Sequence, residues 1–255
     1  MLQEKAALHA ERKTHGVDLD GVRFSRMVDA ERAATIERAR RATNAETETC
    51  VESPEMPVVR DTAEVHDHVS FTNKRVAVLV RVRPLSAAER AARAVDVVTC
   101  VPSTRGSPAL AAVHEPRTKV DGTRHVESSR FDLDGAFDAR ASDADVYAAA
   151  IEPLARLCLE SACLESDDAA GANATVFAYG QTGSGKTHTM TRCTAALARD
   201  VCGGAREKNL RVGVSFYEVY AGKCFDLLAD RARVRALEDA RGRVRMVGLT
   251  ERLAG

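Results

Sequence analysis

An α/β fold built around a phosphate-binding loop is the architecture this sequence predicts, on three observations. Short β-branched apolar runs are mixed with amphipathic helical stretches, which argues against an all-α or all-β chain. Gly180-Gln-Thr-Gly-Ser-Gly185-Lys186-Thr187 satisfies G-x-x-x-x-G-K-S/T at every fixed position. That segment lies between an apolar run ending at Tyr179 and a stretch able to begin a helix near Gly185.

The 255 residues suffice for one large domain, or for a domain with an extension. Hydrophobic residues make up 45% and charged residues 29%, the balance of a folded chain. Aromatics are only 4% and Trp is absent, so the core must draw on small side chains. Lys plus Arg equals Asp plus Glu at 37 each, without the basic excess typical of nucleic-acid binders, and no nucleic-acid partner is expected. No run approaches the ~18 apolar residues of a membrane span, and Met1 to Arg12 carries no signal-peptide apolar core. Cysteines at 50, 100, 158, 163, 193, 202 and 224 are odd in number and include no Cys-x-x-Cys pair, the usage of reduced thiols in a cytosolic protein.

Residues 1–70 read as an extension. Between Gly21 and Ala42 the spacing of Val22, Met27, Ala30, Ala33 and Ile36 among Arg and Glu predicts a charge-laced helix, either solvated or a partner-binding neck. Asn44 to Val69, with Pro54 and Pro57, reads as a linker. His66 and His68 within it are two apart but stand on an isolated loop, which gives little basis for a metal site. The globular part, 71–255, opens with Val76–Val80 as a buried strand. Ala87–Ala94 reads as a short surface helix, and Val97–Val101 and Ala109–His114 as small strands. Phe131–Phe137 is a strand with a turn. Ser142 can cap a helix from Asp143 to about Cys163, with Val146, Tyr147, Ala150, Leu154 and Leu157 on one face. Thr175–Tyr179 is a further buried strand, with Phe177 and Tyr179 as core residues. Leu210–Tyr220 alternates and turns at Ala221-Gly222, and Val234–Leu237 with Val244–Leu249 predict a hairpin across Asp239–Gly242.

The glycine-rich loop carries the chemistry. Its glycines allow the backbone N–H groups to wrap a phosphate in conformations other residues resist. The helix N-terminus contributes the positive end of its dipole. Lys186 would neutralise the β- and γ-phosphates and Thr187 would ligate Mg²⁺.

The loop alone does not choose among kinases, GTPases, transporters and motors; its surroundings do. Phe177 to Met190 closely resembles the phosphate-loop segment of kinesins. Arg81-Val-Arg83-Pro84-Leu85 resembles the kinesin adenine-binding segment, and Val214 to Leu228 the family's fourth strand and following turn. These segments speak against an unrelated enzyme such as a small kinase. The resemblance spans roughly residues 74–252. It implies an α/β kinesin motor core that binds ATP and Mg²⁺, works on microtubules and resides on the cytoplasmic cytoskeleton, with no membrane partner. It places Arg83 and Pro84 against the adenine with His188 on the other side. Gln181, Thr182, Gly183, Ser184 and Gly185 supply backbone donors after Gly180, and Lys186 and Thr187 hold phosphate and Mg²⁺. Arg81 belongs to the adenine segment or is a surface charge. Glu218 reads as a packing or ion-pair residue rather than a catalytic acid. Lys119-Val120-Asp121 after His114-Glu-Pro resembles the tubulin-touching finger of internal-motor, depolymerising kinesins. Val234–Asp239 and Val247-Gly-Leu249 resemble that group too, and the helical extension its neck.

Two departures qualify the resemblance. Kinesins carry two switch segments after the phosphate loop, Asn-x-x-Ser-Ser-Arg-Ser-His and Asp-Leu-Ala-Gly-Ser-Glu. Neither occurs in this sequence, and Ser128-Ser129-Arg130 lies before the loop. The expected core is therefore incomplete, lacking the C-terminal half, with no catalytic residue assigned and strand edges left unpaired. The expectation is a truncated chain that does not hydrolyse ATP by itself; a non-catalytic nucleotide- or partner-binding module is the alternative. Thr191 to Leu197 also runs straight on from Met190, where the family usually has glycines and a long loop.

Overall fold

The computed structural model describes residues 19–48, 76–104, 108–163 and 171–254. Most of the linker, with Pro54, Pro57, His66 and His68, lies outside the described residues, and Asn44 to Glu48 continue the preceding helix. The chain separates into two compact units, one comprising residues up to Ala150 together with Ala178–Thr189, the other Ile151–Phe177 with Met190–Gly255.

In the first unit the elements are α1 (Leu19–Glu48), β1 (Leu79–Arg81), α2 (Ala87–Ala91), β2 (Val98–Val101), β3 (Ala109–Thr118), β4 (Arg124–Leu133), β5 (Gly135–Phe137) and α3 (Asp143–Ala150). β2, β3 and β4 form an antiparallel sheet with β3 in the middle. The β3–β4 hairpin pairs without a bulge from Ala109↔Leu133 to Thr118↔Arg124. It is longer than the sequence predicts. Beyond His114 and before Phe131 most of its residues are polar or charged and only half-buried at best, so the apolar alternation that marks a half-buried strand is missing.

α1 packs along this sheet, touching β2, β3 and β4. The expected apolar stripe is displaced. Ala30 and Ala33 are exposed, and the buried positions are Val28 and Thr35, with Arg32 between them. Arg32 Nε donates to Thr99 Oγ1 (3.2 Å), and Nη2 donates to the Asp96 carbonyl (2.7 Å) and pairs with its carboxylate (3.3 Å). The contact continues along the helix. Thr43 Oγ1 meets Thr104 Oγ1 at 3.2 Å near the sheet's root, and the Arg124 guanidinium lies 5.8 Å from the centre of the Phe24 ring near the hairpin tip. Small residues build the core on both faces of β3: Ala112 lies on the face of His114 and α1, and Ala109 and Ala111 are buried on the opposite face, as the low aromatic content requires.

His114 is fully buried on the sheet face that meets α1. Thr99 Oγ1 and His114 Nε2 are 2.9 Å apart, and His114 Nδ1 is 2.9 Å from Ser128 Oγ. Every group is satisfied if Thr99 accepts from Arg32 and donates to Nε2, while Nδ1–H donates to Ser128. Burial and the nearby Arg32 charge hold the imidazole pKa below its ordinary value.

β1 pairs in parallel with β5, Leu79↔Gly135 through Arg81↔Phe137. The buried strand expected at Val76–Val80 is shorter and less covered: Val76 and Val78 are exposed, and β5 is its single partner among the described strands. α2 is capped by Ser86 and Glu89, each side chain meeting the other's backbone N–H, a two-way capping box. α3 begins with the same device, Ser142 and Asp145 exchanging side chain-to-backbone bonds of 2.8 and 3.1 Å. It ends at Ala150, and α4 (Glu152–Ser161) starts afresh. The single helix predicted to Cys163 is thus broken. Pro153 lacks an N–H and its ring would crowd the carbonyl four residues back. Leu157, expected on the shared apolar face, is half exposed.

The second unit contains α4, most of α5 (Lys186–Glu207), and strands β6 (Val212–Val214), β7 (Tyr217–Tyr220), β8 (Lys223–Asp226), β9 (Ala232–Glu238), β10 (Val244–Val247) and β11 (Arg252–Ala254). β7 to β10 form an antiparallel meander, and β6 pairs with β11. The predicted hairpin across 239–242 is present, with Asp239 accepting from the N–H groups of Arg241 and Arg243. Asp226, fully buried, accepts from Leu228 N at 2.8 Å and Thr250 N at 2.7 Å, joining the end of β8 to the approach to β11. Glu218 pairs with Arg231 at 2.5 Å, the ion-pair role expected of it.

Candidate phosphate-binding site

Residues 174–179 reach the loop without regular secondary structure rather than as a buried strand. No described strand pairs with them, and Phe177 and Tyr179 are 87% and 102% exposed, so neither is a core residue. β-branched content favours an extended chain, but a strand exists only where a neighbour takes up its N–H and C=O groups.

The loop itself has the backbone its sequence predicts. Gly180, Gly183 and Gly185 have φ of +151°, +82° and +92°, a region that side-chain-bearing residues avoid. A Cβ on Gly180 would come within 2.6 Å of Ser184 Oγ, so a side chain there would have to turn the serine hydroxyl aside as well as strain the backbone. Ser184 N closes a turn on the Gln181 carbonyl at 3.2 Å. α5 starts at Lys186, and Thr189 N bonds back to the Gly185 carbonyl at 3.0 Å.

Lys186 curls over the loop. Its Nζ donates to the carbonyls of Gly180 (2.6 Å) and Gln181 (2.8 Å). The ammonium thereby stands at the loop's mouth, held by two carbonyl oxygens that an anion can replace. Ser184 Oγ is buried without a hydrogen-bond partner. A loop of three positive-φ glycines, a cation across its opening and an unsatisfied hydroxyl suit a phosphate chain with its Mg²⁺. Gln181, Thr182 and Thr187 are exposed around this opening.

The predicted adenine residues are partly gathered here. Arg83 Cβ lies 3.8 Å from the position a Cβ on Gly185 would take. Its guanidinium, however, is turned to Glu89, with bonds of 2.5 and 2.7 Å, and to the Pro84 carbonyl at 3.0 Å. Those bonds hold the Glu89 carboxyl down to about 2. His188 is exposed, with Nδ1 3.7 Å from Asp143 Oδ1.

Arg81, left by the sequence between an adenine contact and a surface charge, is neither free nor on the surface. Its side chain is 21% exposed and pairs with Asp143 at 2.6 Å. Nη1 also donates to Thr189 Oγ1 (2.9 Å) and Nη2 to the Ala141 carbonyl (3.3 Å). Asp143 and Thr189 were legible only as a helix start and a motif position.

Lys119, Val120 and Asp121 stand apart from this loop, at the tip of the β3–β4 hairpin. Val120 is 108% exposed. Lys119 N donates to the Thr123 carbonyl at 2.9 Å and Thr123 N to Asp121 Oδ1 at 2.8 Å, which closes the turn. The bond from Thr123 keeps the Asp121 carboxyl below its ordinary pKa.

A family model of the kinesin motor domain matches residues 81–254. Among solved structures, KIF14 (391-772), described as a dimer in the two-heads-bound state with AMP-PNP in complex with a microtubule, superposes with a TM-score of 0.55 at 27% identity. The match covers 71% of this chain and 50% of that one, so the chain spans about half the length of the matched structure.

Proposed function

This chain belongs to the kinesin motor-domain family, and from that membership we propose that it holds Mg²⁺-ATP at Gly180–His188 as the nucleotide-binding part of a microtubule-directed motor. The observation that carries this reading is the set of left-handed glycines closing around the Lys186 ammonium. Nucleotide phosphate exchanges for the Gly180 and Gln181 carbonyls at Nζ, and the loop's N–H groups and the α5 N-terminus take up the remaining charge. Thr187 would hold Mg²⁺, which would supply positive charge to offset that of the phosphates. Arg83, Pro84 and His188 flank the adenine. Arg83 does so through its stem, since its fork is committed to Glu89.

The finer reading is the internal-motor, depolymerising type. Residues 1–70 then serve as neck and linker, 71–255 as motor, and Lys119, Val120 and Asp121 as the tubulin contact, on microtubules of the cytoplasm. The fully exposed Val120 on a hydrogen-bonded turn supports it. A Lys119→Ala/Asp121→Ala pair, built into a motor carrying both switch segments, is expected to lose depolymerisation; unaltered shortening of microtubules removes the subgroup assignment.

For the chain as it stands, the sequence holds neither of the switch segments that would position an attacking water. We therefore propose nucleotide binding without appreciable turnover. Titration with a fluorescent ATP analogue tests the site: Lys186→Ala is expected to lower affinity by at least about tenfold, the scale of one charge-assisted contact. Unchanged binding in that variant sinks the assignment. Phosphate release from the wild-type chain at rates typical of motors would refute the claim about turnover.

A further inference from the structure

We infer that Arg81 is a positioning residue that sets the first turn of α5, and with it the phosphate loop, rather than a contact for the base; this rests on the nucleotide reading above. Arg81 ends β1, where the Arg81↔Phe137 pairing fixes its backbone. From there one guanidinium reaches separate elements: Asp143 at the start of α3 (2.6 Å), the Ala141 carbonyl before it (3.3 Å) and Thr189 Oγ1 in α5 (2.9 Å).

Thr189 is the informative partner. Its N–H closes the first turn of α5 on the Gly185 carbonyl at 3.0 Å. A residue held by Arg81 through its side chain thus fixes, through its backbone, the last glycine of the loop. Asp143, ion-paired at 2.6 Å with the same Nη1 that donates to Thr189, balances the guanidinium's charge where it reaches α5. The N–H groups that would meet phosphate belong to residues whose orientation this turn decides. Moving a turn of donors by even 1 Å degrades several charge-assisted bonds together.

Arg81 is thereby committed. Its guanidinium is bound by Asp143, Ala141 and Thr189, and its side chain is mostly covered. A base-contacting arginine would present an open face or edge to the ligand. The two roles differ in what the phosphate chain alone would report.

The test measures binding of ATP and of inorganic tripolyphosphate, which has no base, to the whole chain and its Arg81→Ala, Arg81→Lys and Thr189→Val variants. Amide hydrogen exchange across 185–190 is followed without ligand. Arg81→Ala is expected to weaken ATP and tripolyphosphate in parallel, about tenfold each, and to speed exchange at Thr189. Thr189→Val, which keeps the side-chain volume, is expected to do the same by about threefold, and Arg81→Lys to recover part of the loss. Weakening of ATP with tripolyphosphate untouched overturns the inference in favour of a base contact. Unchanged exchange at Thr189 in Arg81→Ala overturns it whether or not any ligand binds. A wild-type chain that binds neither probe refutes the nucleotide reading itself, which the exchange measurement does not depend on.

Discussion

Replacing Arg32 by Leu tests whether α1 is a docked element or a solvated one. The guanidinium donates to Thr99 Oγ1 at 3.2 Å, to the Asp96 carbonyl at 2.7 Å and, more weakly, to the Val98 carbonyl at 3.5 Å, with the Asp96 carboxylate at 3.3 Å. A hydrogen bond from a charged donor contributes about 1.5–3 kcal/mol when buried. The Arg32 and Asp96 side chains are 29% and 42% exposed, so solvent screening takes the lower end and leaves the ion pair itself below about 1 kcal/mol. Leu keeps the apolar stem but leaves the Asp96 carbonyl and Thr99 to water. The expected loss is about 2–3 kcal/mol, read as a lower urea midpoint of the first unit by circular dichroism. Arg40→Leu, on an exposed position of the same helix, should stay within about 0.5 kcal/mol of wild type. Equal effects of the two substitutions, or a loss below about 0.5 kcal/mol for Arg32→Leu, would refute the docking of α1 through this residue.

His114, held neutral by burial and by Arg32, has a folded pKa below its unfolded value of about 6.5. The unfolded chain therefore binds the extra proton first, and the first unit should lose stability as pH falls through about 6.5; His114→Gln should flatten urea midpoints between about pH 7.5 and 5.5. Gly180→Ala forces a Cβ to within 2.6 Å of Ser184 Oγ at φ +151° and should weaken ATP more than Gly183→Ala, whose Cβ meets nothing within 4 Å; equal affinities would contradict the cradle geometry. Asp226 is kept ionised chiefly by its hydrogen bonds from Thr250, so its contribution is present above about pH 4 and lost as pH falls through its depressed pKa. Asp226→Asn, which turns a donor toward one of the two N–H groups, should lower the second unit's thermal midpoint at pH 7 and weaken its acid dependence.

The parts legible in the sequence are those encoded locally. The phosphate loop could be read because three glycines, Lys186 and Thr187 specify its backbone within eight residues. The caps at Ser86 and Ser142 and the turn at Asp239 are equally short-range. What was misread depends on neighbours far away in sequence. Thr175–Tyr179 has strand composition, but pairing is decided by another segment. The buried face of α1 is chosen by where Thr99 and His114 lie, so an arginine rather than an alanine occupies it. Arg81 was ambiguous for the same reason: its partners come from α3 and α5, over 60 and 100 residues away. Pro153 is by contrast a local signal, marking the start of a new helix within the sequence itself.

A two-stranded ribbon is by itself a poor strut, because it twists and bends readily. The β3–β4 ribbon is about 34 Å long, and α1, about 45 Å long, is fastened to its sheet at three stations, Phe24 near the tip, Arg32 at mid-length and Thr43 near the root. Together they make a braced cantilever. Load applied at Val120 reaches the body as compression in one member and tension in the other, with little left to flex the turn. Whatever the tip pushes against, the load is shared with α1 through these three stations.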